Sequence, residues 1–321
     1  MFSNLTHVTL SGPTMGTTWS ADMGIPAGTN TALLEAALAA AVAQVDAQMS
    51  TWKPESDLMR LNAAPVGEWI SIPSELMQVL LRGLEIGRAS EGAFDIGLGD
   101  LVRAWGFNSD APDPDAIRAG LGQARQPVYD QLELNETTLR VRKLTALSLD
   151  LSGIAKGYGV DRLMQVCQDF NITSALVALD GELLSKGCQP NGQPWHVAIE
   201  APDFGPRMPH AMLELKDAAV ATSGDYRHWV KVGNIRLSHT MDRLKGGPML
   251  PGIASVTVVA ADCMAADALA TAILVMGRQK GSDLARKLHV DCLILERVGN
   301  GIREFGIGPL FQSNPLLKMP E

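Results

Sequence analysis

Residues 256–276 read VTVVAADCMAADALATAILVM, and the change of character partway along this stretch decides the fold. Val256, Thr257, Val258 and Val259 are β-branched and favour a strand, whereas the alanine, leucine and methionine that follow favour a helix. Asp267 and Thr271 interrupt the helical half four residues apart, so they share one helix face. A carboxylate and a hydroxyl on an otherwise apolar segment are two hard oxygen ligands, which suit a hydrated divalent cation such as Mg²⁺. The same spacing also fits a structural reading, in which Asp267 caps or pairs and Thr271 back-bonds to a carbonyl.

Around this stretch lies a chain of 321 residues, long enough to bury a substantial core as one large domain or two. With 27 basic and 35 acidic side chains it carries a net charge of -8, so no general attraction to nucleic acid or to an anionic membrane is expected. An anionic small molecule would need a local positive site or a metal. Cys167, Cys188, Cys263 and Cys292 are far apart, with no C-x-x-C pair, and read as buried free thiols. No apolar run is expected to span a bilayer, and the opening MFSNLTHVTLSG lacks the regions of a signal peptide. Taken literally, the chain is cytoplasmic.

The remaining elements follow from periodicity and turn signals. Residues 6–10 and 17–21 read as strands joined through a turn rich in glycine and proline. A long amphipathic helix capped at Asn30 and Thr31 runs to about Gln48, a short one starts at Ser56, and another starts at Pro73 and Ser74. Residues 91–100 hold three glycines and are expected to approach another backbone or a ligand closely. Residues 108–127 read as a surface excursion, and 131–134 with 139–142 as a hairpin. A strand over 147–151 is expected to lead through Gly153 into a helix with Lys156 near its first turn, an arrangement that can hold an anion. It is not a Walker A loop. Later strands are expected near 174–179, 195–200, 212–215, 235–237, 290–295 and 302–306, a helix over 281–287, and a tail over 309–321. Early helices and late strands argue for an α+β protein without a regular βαβ alternation.

Six polar, glycine-rich junctions are strung along the chain: 12–19 (GPTMGTTW), 49–62 (MSTWKPESDLMRLN), 94–107 (FDIGLGDLVRAWGF), 150–158 (DLSGIAKGY), 222–226 (TSGDY) and 266–272 (ADALATA). Each is weak alone, but their order and wording resemble the ApbE family, the FAD:protein FMN transferases. The resemblance implies a T-fold-like core of largely antiparallel sheets flanked by helices, a smaller α/β lobe, and an FAD site between them. The whole of 1–321 would be one such unit in two lobes with no clear linker.

The implied reaction is Mg²⁺-dependent transfer of the FMN half of FAD to a Ser or Thr hydroxyl of an acceptor flavoprotein, releasing AMP. Metal ligands carried over are Asp267, Thr271 and the Gly153 carbonyl. Lys156 would hold flavin or phosphate, and His239, with Asp242 or Asp225, would take the hydroxyl proton. Met15, Gly16, Trp52, Asp95, Asp180, Gly181, Glu182 and Tyr226 would line the FAD site. The acceptor would belong to a membrane-associated electron-transport complex, which favours the periplasm or the outer face of the cytoplasmic membrane for a chain whose signal or lipid anchor has been removed. FAD pyrophosphatase and a non-catalytic FAD-binding protein are the alternatives. The chain departs from the family pattern H-x-x-D-P-x-T-G-x-P, since Arg243 and Lys245 stand for the Pro and Thr, and Asp100 stands where a proline commonly follows the acidic-glycine loop.

Overall fold

The computed structural model describes residues 5–107, 111–203, 205, 207–227, 229–232, 235–299 and 301–312. Asn108, Asn-proximal residues 109–110, His228 and residues 313–321 of the expected tail lie outside these. Eight strands form the main sheet: β1 (Leu5–Thr14), β2 (Thr17–Pro26), β3 (Ser174–Leu179), β4 (Glu182–Lys186), β5 (Ala219–Gly224), β6 (Ile253–Ala260), β7 (Asp291–Val298) and β8 (Gly301–Ile307). They lie side by side in chain order, and every neighbouring pair is antiparallel.

Four long helices cover one face: α1 (Thr31–Met49), α2 (Ser74–Ala89), α3 (Ala155–Asp169) and α4 (Cys263–Lys287). The α3 helix packs on β3 and β4, α4 packs on β5 and β6, and α1 and α2 stack behind them. A hairpin of Trp195–Glu200 and Pro209–Leu215 covers part of the other face, where Trp195, Val197, Leu213 and Leu215 meet Val220 and Val259. Covered on both sides, β6 has no polar face, which is why its sequence reads as a continuous apolar run.

The change from β6 to α4 comes where the opening stretch places it. Asp262 caps the helix by accepting from Ala265 N at 2.7 Å, and Gly277, at φ 79°, breaks α4 before its last turns. The main core runs continuously from Val256 and Val258 through Leu163 and Leu38 to Leu80 and Val141 of a small three-stranded sheet. The four cysteines are free thiols, three of them buried.

Four expectations need correction. The first hairpin is longer than expected because Met15 and Gly16 both take positive φ, 46° and 71°, which closes a two-residue turn whose twist matches the strands. Residues 147–151 form no strand. Ser148 makes a single parallel bridge to Leu98, and Asp150 N donates to Ile96 O, so the segment lies against the acidic-glycine loop. The expected tail begins with a short helix, Pro309–Gln312, because Phe311 finds apolar neighbours beneath the sheet. Finally, α1 is long and apolar enough by composition to cross a membrane, with mean hydropathy 1.2, although Leu34, Leu38, Val42, Val45 and Met49 are buried in the core.

Candidate functional site at the crossing of two helices

The starts of α3 and α4 cross backbone to backbone. A Cβ on Gly157 would stand 2.4 Å from the Cys263 carbonyl oxygen and 2.9 Å from Asp267 Cβ, so only glycine permits the approach. This closeness lets Asp267, from the second turn of α4, accept the Gly157 N–H through Oδ2 at 3.1 Å. Its Oδ1 has no hydrogen-bond partner among the described residues. One turn further on, Thr271 Oγ1 lies 2.9 Å from Ser223 Oγ at the end of β5. A Cβ on Gly153 would be 3.3 Å from the Thr271 hydroxyl, which puts the Gly153 backbone beside it.

Lys156 enters from the first turn of α3. Its Nζ donates to Glu182 Oε1 at 2.8 Å and stands 3.5 Å from Asp180 Oδ2. Burial alone would lower this ammonium's pKa, but Glu182, Asp267 and Asp180 together hold it above the ordinary lysine range. Burial, and then the charge of Glu182, push the Asp267 carboxyl up, opposed by Lys156 and the Gly157 N–H. The buried Asp267 and Glu182 thus share the Lys156 ammonium, while Asp180 also lies 3.6 Å from the Arg207 guanidinium, and the buried Glu182 Oε2 has no partner among the described residues. The cluster is short of positive charge, and its unengaged oxygens are hard ligands.

Those donors fit a divalent cation of the Mg²⁺ kind. Among the described residues no group of three or more His, Cys, Asp or Glu side chains could hold a metal. A cation here would therefore rely on one carboxylate, a hydroxyl, a backbone carbonyl and oxygens brought by a substrate, the coordination Mg²⁺ tolerates well.

The other expected residues divide into those near this cluster and those employed elsewhere. Met15, at the tip of the first hairpin, reaches α3, since its Cε would lie 3.7 Å from a Cβ on Gly159. Gly16 completes that turn, and Gly181 sits between Asp180 and Glu182 in the β3–β4 turn. Tyr226 is buried, with the Arg227 guanidinium 5.1 Å from its ring centroid. Trp52 is exposed on its loop.

Asp95 is directed inward, accepting from Gly97 N at 2.7 Å and Val128 N at 3.0 Å, so its carboxylate is spent on two loops. Asp242 accepts from Leu244 N at 2.9 Å and pairs with Lys245 at 3.0 Å, and Asp225 pairs with Arg297 at 2.8 Å. Both carboxylates thus have partners of their own. The His239 ring stands edge-on to Phe107, 6.2 Å between centroids.

Three contributors escaped the sequence reading of the site. Ser223 was visible in the TSGDY junction, but nothing local says that it meets Thr271 across the fold. Arg207, on the loop of the outer hairpin, comes within 3.6 Å of Asp180. Arg243, the departure from the family pattern, is buried against the Gly92 and Arg125 carbonyls and lies 3.8 Å from Asp95, joining the hairpin of Met241–Asp242 and Gly247–Pro248, just after His239, to the acidic-glycine loop. The larger described cavity, about 880 Å³, is lined by α2, α3 and the start of α4 and contains none of the expected site residues.

Fold and site define a class: an α+β protein with an antiparallel sheet and a polar cluster, suited to cations and anions, at two helix starts. Comparisons with known proteins narrow it. The ApbE family model matches residues 15–294, and the chain belongs to the ApbE family. It is 34% identical over 303 residues to the FAD:protein FMN transferase of Vibrio cholerae, covering 93% of this chain and 90% of that one. The FAD:protein FMN transferase of Klebsiella pneumoniae is 31% identical over 317 residues, covering 96% and 89%. Among solved structures, the flavin transferase ApbE of Vibrio cholerae superposes with TM-score 0.85 at 31% identity, covering 96% of this chain and 99% of that one. The apo flavinyl transferase ApbE of Pseudomonas stutzeri gives 0.84 at 31%, covering 97% and 98%.

Proposed function

We propose that this chain is an FAD:protein FMN transferase that moves the FMN half of FAD onto a Ser or Thr hydroxyl of an acceptor flavoprotein. The observation that carries the reading is the α3–α4 crossing, where the buried carboxylates of Asp267 and Glu182 share the Lys156 ammonium and Asp267 Oδ1 accepts no hydrogen bond among the described residues. Such a cluster repels a pyrophosphate by itself and accepts one together with a divalent cation. Mg²⁺, when bound, neutralises charge on the attacked phosphorus and on the departing AMP.

The chain's own residues supply the rest. Asp267, Thr271 and the Gly153 carbonyl hold the cation, and Lys156, in the first turn of α3, binds phosphate oxygens. Met15 and Tyr226 shape the FAD site. The acceptor hydroxyl oxygen bonds to the FMN phosphorus as the bond from that phosphorus to the AMP phosphate oxygen breaks. His239 takes the hydroxyl proton directly, with Asp225 and Asp242 fixing the loops around it. An acceptor in a membrane-associated electron-transport complex would place the reaction on the outer face of the cytoplasmic membrane or in the periplasm.

Incubation with FAD, Mg²⁺ and a candidate acceptor, followed by intact-mass spectrometry, tests this reading. An acceptor heavier by one FMN, with AMP in equal amount, is expected. AMP and free FMN without an adduct would make the protein a pyrophosphatase, and FAD bound but intact under every condition would make it a binding protein.

A further inference from the structure

The two helices at the site cap one another. Asp267 of α4 accepts the N–H of Gly157 in the first turn of α3. Asp161 of α3 accepts the first two N–H groups of α4, from Cys263 to Oδ1 at 2.7 Å and from Met264 to Oδ2 at 2.9 Å. Each carboxylate sits one turn past the contact point on its own helix, Asp161 four residues after Gly157 and Asp267 four after Cys263. The arrangement is close to twofold, with the Gly157–Cys263 contact at its centre.

A helix start needs caps, but α4 already has one. Asp262 takes the Ala265 N–H through its side chain and the Ala266 N–H through its carbonyl. Asp262 precedes α4 directly in the chain and moves with it, so it cannot fix where α4 lies on α3. Asp161 belongs to the other helix, and a carboxylate accepting two N–H groups restrains both translation and rotation of what it holds. What it restrains is the helix that carries Asp267 and Thr271.

Building on the transferase reading, we propose that Asp161 is a positioning residue for the metal site. It sets the register of α4 on α3 that brings Asp267 Oδ1 and the Thr271 hydroxyl to the Gly153 backbone and Lys156. It touches neither FAD nor the cation. Without it, Asp267 keeps only the single Gly157 N–H as a link between the helix starts, and the oxygens lose their common focus. Metal-supporting groups of this kind typically change metal affinity by about 10–100-fold when removed.

The test compares Asp161→Asn, Asp161→Ser and Asp262→Ala with wild type. Thermal midpoints are followed as Mg²⁺ is added, with and without FAD, and FMN transfer is measured across the same Mg²⁺ range. For Asp161→Asn the Mg²⁺ half-saturation is expected to rise about tenfold, with most of the transfer rate restored at high Mg²⁺. Asp161→Ser, whose shorter side chain does not extend to the Cys263 and Met264 N–H groups, is expected to raise the Mg²⁺ half-saturation at least as much and provides the comparison if the amide fails to fold. Asp262→Ala is expected to lower the thermal midpoint while leaving Mg²⁺ half-saturation within about twofold. Midpoints lowered alike in all three variants, with unchanged Mg²⁺ half-saturation, would make Asp161 an ordinary cap and overturn the proposal. A wild-type protein that neither responds to Mg²⁺ nor transfers FMN would instead remove the transferase reading, and the proposal with it.

Discussion

The α3–α4 crossing and the hairpin that directly follows His239, Met241–Asp242 with Gly247–Pro248, are both polar, and they are held in opposite ways. At the crossing, Lys156, Glu182, Asp267, Thr271 and Ser223 bond to one another or to helix starts, with Glu182 and Asp267 buried and the other three half-buried. On the hairpin, Asp242 and Lys245 satisfy their own turn, Arg243 ties it down from behind, and Leu244 and Leu250 are left exposed. The first region suits a small, highly charged ligand that must be met by groups already in place. The second suits a partner that arrives from solvent and leaves again, which is what a protein hydroxyl must do.

If that contrast is right, damage at the crossing should be severe and damage on the hairpin mainly kinetic. The largest effect is expected from Asp267→Ala, which removes the one carboxylate aimed at the cation and should lower the transfer rate by at least about 10³-fold. Lys156→Met comes next. It leaves Glu182 charged, buried and unpaired, and should cost roughly 3–5 kcal/mol in a denaturant melt. Adding Glu182→Gln to that variant should recover much of the loss.

His239→Ala should slow transfer by about 10²-fold while leaving the melt and the Mg²⁺ response nearly unchanged. A wild-type rate in that variant would remove the histidine from the chemistry and leave the crossing untouched. The smallest effect concerns pH in the metal-free protein. Burial pushes the Asp161 carboxyl up to about 7 and raises Asp267 and Asp95 as well. Groups raised in the fold favour it when protonated. Their contribution is complete below the ordinary carboxylate value and is lost as pH rises through about 7. Melts from pH 5 to pH 8 should therefore lose roughly 2 kcal/mol without Mg²⁺, and less with Mg²⁺ and FAD present.

The sequence made the crossing's ingredients legible and left their assembly hidden. Asp267 and Thr271 stood out because i and i+4 share a helix face, and Lys156 because it follows a glycine turn at a helix start. Which helix start faces which carboxylate is set by the packing of α3 on α4, over more than a hundred residues of chain. Asp161 in the sequence is one acid on an amphipathic helix, indistinguishable from a solvated one until Cys263 and Met264 are seen against it. Asp95 shows the same limit, since its partners are the N–H groups of Gly97 and Val128, and the latter is distant in the chain. Residues 147–151 have the composition of a strand, but their neighbour is a loop that offers a single bridge. Strand and helix identities followed from local periodicity, whereas the partners of polar side chains did not.

The account rests on the crossing being the place where cation and pyrophosphate meet. Its most direct test is acceptor flavinylation from FAD by wild type and Asp267→Ala, each in Mg²⁺ and in excess EDTA, with the folded state of both proteins verified by melting. The account predicts an FMN-sized mass gain on the acceptor only for wild type in Mg²⁺. Equal gain with Asp267→Ala, or with wild type in EDTA, would contradict it.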